Sequence, residues 1–163
     1  MHHQTEQKEP PWRVAMIVSG GQTGVDRGAL DAALQAEVPH GGWCPAGRKA
    51  EDGRIPDRYQ LTEHASPHYA ARTAANVRDS DATLILAPGE PTGGTALTRT
   101  KARAYRKPCL VVDLLQPVDL SLIRHWLAMN RVHVLNVAGP REKDTPGVAA
   151  QAQAIVSALL AAD

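Results

Sequence analysis

A glycine-rich run between an apolar strand-like segment and an alanine-rich helical one most narrows what this chain can fold into: Ile17-Val18-Ser19-Gly20-Gly21-Gln22-Thr23-Gly24-Val25-Asp26-Arg27-Gly28. Glycine lets the backbone bend through conformations closed to other residues. Successive N–H groups can then turn toward one point that the positive end of the following helix also faces, and that point favours an anion. The lysine of a Walker loop is absent, because Val25-Asp26 follows Gly24 where Lys-Ser or Lys-Thr would stand, and the glycines do not give Gly-x-Gly-x-x-Gly. The bland alternative is a glycine turn that only joins a strand to a helix, which is ordinary in α/β folds.

The rest of the chain continues the alternation. Continuously apolar runs at 14–19, 82–87, 109–113 and 132–137 are expected as strands buried on both faces, with a weaker fifth strand near 40–44. Helices are expected over 24–36, 69–79, 95–106, 120–130 and 147–162, the fourth entered through Asp119 or Ser121 as N-cap. This pattern gives an α/β, three-layer Rossmann-like fold, a mostly parallel sheet with helices on both faces. Phenylalanine is absent, so the core is built from Ala, Val, Leu and Ile.

Composition bounds the function classes. The 163 residues suffice for a core without cross-links, and are read as a disordered tail over 1–12 followed by one ligand-binding domain over 13–163. Eighteen Lys and Arg face 17 Asp and Glu, interspersed rather than clustered, so no nucleic-acid partner is expected. Cys44 and Cys109 form no Cys-x-x-Cys pair, which fits a reducing compartment and gives no zinc motif. His64 and His68 have helical spacing, but Pro67 intervenes and no third ligand is apparent, so no metal site is expected. No signal peptide and no apolar run of membrane-spanning length are read, so a cytoplasmic protein with no membrane partner is the expectation.

In a doubly wound sheet the loops after the strands' carboxyl ends meet at one edge, where ligands bind. Three such loops are chemically marked here: 20–28, the run Ala87-Pro88-Gly89-Glu90-Pro91-Thr92-Gly93-Gly94-Thr95, and Ala138-Gly139-Pro140-Arg141. Two glycine-rich turns at one edge suggest two N–H nests around one anionic ligand. The aperiodic stretch 45–67 is expected as a long surface excursion.

Five ordered runs carry a family resemblance: Ser-Gly-Gly-Gln-Thr-Gly-Val-Asp-Arg-Gly-Ala-Leu-Asp-Ala-Ala (19–33), Gly-Gly-Trp-Cys-Pro-Ala-Gly-Arg-Lys-Ala-Glu-Asp-Gly (41–53), Asn-Val-Arg-Asp-Ser-Asp-Ala-Thr-Leu-Ile (76–85), Thr-Gly-Gly-Thr (92–95) and Asn-Val-Ala-Gly-Pro-Arg (136–141). Together they resemble the family of proposed molybdenum cofactor carriers over most of 14–160. That family is similar in fold to the cytokinin-activating phosphoribohydrolases once called lysine decarboxylases. The resemblance implies the molybdenum cofactor (molybdopterin) or a nucleotide as bound ligand, and homo-oligomeric assembly. In those hydrolases a glutamate closely follows the second glycine loop, whereas Thr98 stands here. A hydroxyl cannot stabilise positive charge developing on a ribose, so the resemblance implies a carrier rather than a catalyst.

The ligand is accordingly expected against Gly20, Gly21, Gln22, Thr23, Gly24, Asp26 and Arg27 of the first loop. Gly89, Thr92, Gly93, Gly94, Thr95 and Thr98 would serve at the second, and Asn136, Gly139 and Arg141 at the third. Asp26 or Asp52 could accept two hydrogen bonds from a pterin or guanine ring, or Asp26 could simply cap its helix. Arg48, Lys49 and Arg54 could close over an anion or form a solvated basic loop. The enzyme alternative, a nucleotide or phosphoribosyl hydrolase, would recruit Asp26, Asp52 or Glu90 as acid and base.

Overall fold

A computed structural model describes residues 12–161. The tail expected over 1–12 lies outside the described residues apart from Trp12, whose indole N–H donates to the Val132 carbonyl at 2.6 Å. In chain order the elements are β1 (Met16–Val18), α1 (Val25–Gln35), β2 (His40–Gly41), β3 (Trp43–Cys44), β4 (Lys49–Ala50), β5 (Gly53–Arg54) and β6 (Thr62–Glu63). They continue with α2 (Tyr69–Arg78), β7 (Ala82–Ala87), α3 (Gly93–Ala104), β8 (Cys109–Asp113), α4 (Leu120–Met129), β9 (Val134–Ala138) and α5 (Val148–Leu160).

Five strands form one parallel sheet in the order β2-β1-β9-β7-β8. The last strand of the chain therefore lies in the middle. Counted from β9 through α5 into β1, the order reads 3-2-1-4-5, the arrangement of a doubly wound sheet whose opening strand has been moved to the chain's end. The point where the winding reverses falls between β9 and β7. Every residue of β7 is buried, which requires cover on both faces. On one face α1, α4 and α5 sink Ala29, Ala32, Ile123, Leu127, Val148 and Val156 into a core shared with Ile17, Leu84 and Leu135 of the sheet. On the other, α2 packs on α3, which rests on β7 and β8.

The excursion 45–67 is anchored at its middle. Ile55 and Tyr59 fold back with Cys44 against Leu30 of α1 as a second small core, so Cys44 is a packed thiol. At the entrance to α4 the Asp119 carboxylate accepts from the Leu122 N–H at 3.0 Å, satisfying one of the helix's free donors. Asp119→Ala is expected to cost about 1 kcal/mol, read as a fall of about 2–4 °C in melting temperature.

Candidate functional site

A cleft of about 630 Å³ opens at the carboxyl ends of β7 and β9, where the winding reverses. Its size is that of a small-molecule site. One wall is the loop after β7 and the first turn of α3, another is Gly139-Pro140-Arg141 after β9, and Gln22 and Asp26 enter from the loop after β1. The remaining wall is the start of α2 with Ser66, His68, Tyr69 and Arg72.

The two glycine loops do different things. In the first, donors are turned inward: the Gln22 N–H donates to Asp26 Oδ2 at 3.2 Å, the Gly21 N–H to Ser19 Oγ at 3.4 Å and the Val25 N–H to the Pro140 carbonyl at 3.2 Å. That loop holds the Asp26 carboxylate in place. In the second, Thr92 caps α3 without a side-chain hydrogen bond, and the N–H groups of Gly93 and Gly94 stand at a helix start bordering the cleft. Partial positive charge from α3 is thus presented to the cavity.

Asp26 and Arg72 form the polar floor. Arg72 is 4% exposed, donates from Nη1 to the Gly20 carbonyl at 3.3 Å, and keeps a buried Nε with no hydrogen-bond partner among the described residues. A cation held this way is rare unless something completes its donors. Glycine at 20 leaves room for this arrangement, because a Cβ there would overlap the Arg72 guanidinium as it lies and come within 3.0 Å of Asp26 Oδ2. Burial pushes the Asp26 carboxyl up to about 6, against the opposing pull of Arg72, the Gln22 N–H and Arg27. At neutral pH it is a buried carboxylate carrying a desolvation cost.

Of the residues expected from sequence, Gln22, Asp26, Thr92, Gly93, Gly94, Thr95, Gly139 and Arg141 line this one cleft. Gly20, Thr98 and Asn136 border a small polar recess that shares Asp26, Tyr69 and Arg72 with it. The Thr98 hydroxyl donates to the Gly94 carbonyl at 3.1 Å within its own helix, and Asn136 Nδ2 donates to Thr83 Oγ1 at 3.2 Å, so both are committed to the fold. Gly21, Thr23, Gly24 and Gly89 shape the loops without lining the cleft. Thr23 Oγ1 accepts from the Glu142 N–H, and the Gly89 N–H donates to Asp113.

The basic excursion residues lie elsewhere. Arg48 is buried and donates to the carbonyls of Ile55, Pro56 and Tyr59, tying together a segment that lacks regular structure to satisfy them. Lys49 is exposed on the β4–β5 hairpin and gives its carbonyl to Gln22 Nε2. Arg27 and Asp52 form a two-pronged ion pair outside the cleft, and the Arg27 guanidinium beside Asp52 holds that carboxyl below its ordinary value. Arg54 pairs with Asp57. Arg141 does reach the cleft, already flanked by Glu51 at 3.4 Å and Asp144 at 2.9 Å. Tyr69 and Arg72 had no sequence signal, since they fall in an ordinary amphipathic helix pattern.

Among the described residues no helix is long and apolar enough to cross a membrane, and no group of three or more His, Cys, Asp or Glu could hold a metal ion. The Circularly permutated YpsA SLOG family matches residues 17–160. The crystal structure of a proposed molybdenum carrier protein from Syntrophus aciditrophicus SB is 44% identical and superposes with a TM-score of 0.89, covering 94% of this chain and 98% of that one. No curated protein matches the chain. The permuted strand order agrees with the first of these matches, and the α/β architecture with the second.

Proposed function

The chain belongs to the Circularly permutated YpsA SLOG family, and from that membership and the chemistry of the cleft we propose that it binds and carries a phosphate-bearing heterocycle of the molybdopterin or nucleotide class. The carrying observation is that one cavity holds two opposite demands. Arg72, a buried cation that lines the cleft, and the first turn of α3 call for an anion, while the Asp26 carboxylate calls for ring N–H and amine donors. A molecule with a phosphate at one end and a pterin or guanine ring at the other meets both. The relative from Syntrophus aciditrophicus, described as a molybdenum carrier, supports the choice of cargo.

The direct test is mass spectrometry of the small molecule that co-purifies with the protein. A phosphorylated pterin or purine is expected, and a thermal shift with GMP checks the same chemistry. Absence of any such compound, together with no shift by GMP at millimolar concentration, would overturn the reading.

One observation favours the hydrolase as a second reading: a cleft carboxyl whose burial holds it near 6 suits proton transfer at neutral pH. Against it, Thr98 stands where the resemblance implies a catalytic glutamate, and its hydroxyl is spent on Gly94. Steady release of free base from GMP by the wild type, lost in Asp26→Asn, would establish the hydrolase.

A further inference from the structure

Tyr69 is the single tyrosine or tryptophan on the cleft wall among the described residues. It opens α2, and its side chain is 49% exposed, whereas Tyr59, the tyrosine that builds the second core, is 1% exposed. A half-exposed ring is ordinarily free to move. This one is fixed on two sides. The Arg72 guanidinium lies over one face at 4.6 Å from the ring centroid, one helical turn along α2, and Arg72 is itself buried and bonded to the Gly20 carbonyl. The phenol end is set against α3 at Gly94, so closely that a Cβ there would come within 2.6 Å of the hydroxyl oxygen. The ring therefore bridges the starts of α2 and α3 with one face covered, and it lines the cleft.

Such a ring has the properties of a stacking surface. Its orientation is set before any ligand arrives, so little side-chain entropy is lost on binding. An aromatic face attracts planar, electron-poor rings in offset stacks, and the cation behind it adds a further layer to the stack. We infer that Tyr69 is the platform on which the planar ring of the ligand stacks, with Arg72 as its backing. This rests on reading the cleft as a site for a phosphate-bearing heterocycle. The platform makes the site selective for planar aromatic phosphates over phosphosugars of the same charge.

The test compares GMP, ribose 5-phosphate and unphosphorylated pterin by titration calorimetry on the full chain, using wild type, Tyr69→Phe and Tyr69→Leu. Thermal unfolding without ligand shows that each variant is folded. Wild type is expected to bind GMP at least tenfold more tightly than ribose 5-phosphate, the size of a base–aromatic stack. Tyr69→Phe, which keeps the ring, preserves that ratio within about threefold. Tyr69→Leu lowers it about tenfold, to the part that Asp26 supplies, while leaving ribose 5-phosphate within about threefold of wild type. If Tyr69→Leu weakens GMP and ribose 5-phosphate alike, or weakens neither, the platform is overturned while the phosphate site stands. If pterin binds wild type and is lost in Tyr69→Leu although neither phosphate compound binds, the platform stands and the phosphate reading falls. Failure of all three to bind wild type overturns both.

Discussion

Replacing Asp26 with asparagine is expected to raise the unfolding temperature of the ligand-free protein by about 3–10 °C at pH 7.5, and to weaken its hold on a guanine or pterin ring. Burial lifts the Asp26 carboxyl from 3.8 to about 6 in the folded protein. Between those values the folded state keeps a proton that the unfolded chain has released, so stability falls as pH rises through this window, and above it the cost is fully present. Two units correspond to about 3 kcal/mol. Asparagine keeps the acceptor for the Gln22 N–H but never ionises, so it avoids most of that cost. That net shift already contains the attraction of Arg72, and the buried asparagine NH2, which needs an acceptor of its own, offsets part of the gain and leaves about 1–3 kcal/mol. Near pH 4, where wild-type Asp26 is protonated, the two proteins should melt within a degree or two of one another.

The same substitution should weaken GMP about tenfold or more, because the amide offers a donor where the ring needs a second acceptor, while ribose 5-phosphate changes by less than about threefold. Calorimetric melting across pH 4–8 and titration with both ligands check the two halves. An unchanged or lower melting temperature at pH 7.5 would sink the linkage argument, and equal weakening of both ligands would sink the assignment of Asp26 to the ring.

The elements were legible where local pattern decides them. The strands expected over 82–87 and 109–113 stand at those bounds, and the helix expected over 120–130 begins at Leu120 behind its Asp119 cap. The apolar runs are long enough to need burial on both faces, and capping is a local contest, so neither depends on distant residues. What the sequence could not carry is the meeting of parts far apart in the chain. Nothing in 132–137 says that the last strand enters the middle of the sheet, yet that placement puts Gly139 and Arg141 opposite Thr92 and Gly93. Arg48 and Arg72 are both basic residues in polar surroundings, and charge alone points to Arg48, since it sits in the excursion. The fold reverses this: Arg48 is consumed by carbonyls that an irregular segment leaves unpaired, while Arg72 is drawn under Gly20 beside Asp26. Likewise, glycine content marked the first loop as a nest, but its Gly21, Gln22 and Val25 N–H groups are taken by Ser19, Asp26 and Pro140, while α3 begins at the cleft with no side-chain cap.

Arg72→Met should lower affinity for ribose 5-phosphate about a hundredfold, the largest effect expected from any single change in the cleft. Charge-assisted hydrogen bonds contribute about 1.5–3 kcal/mol each, and a guanidinium that lines the cleft can offer more than one. Its removal also strips from Asp26 the strongest influence holding that carboxyl down, so the Asp26 value rises and more of the group is protonated at neutral pH. Protonation thus relieves part of the unpaired buried charge, and the stability loss at pH 7 should fall short of the 3–5 kcal/mol typical of a broken buried pair. Arg72→Lys should not restore binding, because an ammonium cannot lie flat against Tyr69 while bonding the Gly20 carbonyl and leaving donors for a ligand. Titrations at 50 and 200 mM salt add a second readout: wild-type affinity falls with salt, and the variant loses part of that dependence. If Arg72→Met binds ribose 5-phosphate within threefold of wild type, the first turn of α3 holds the anion without it, and the guanidinium serves the Gly20 carbonyl, the Asp26 carboxylate and the Tyr69 ring.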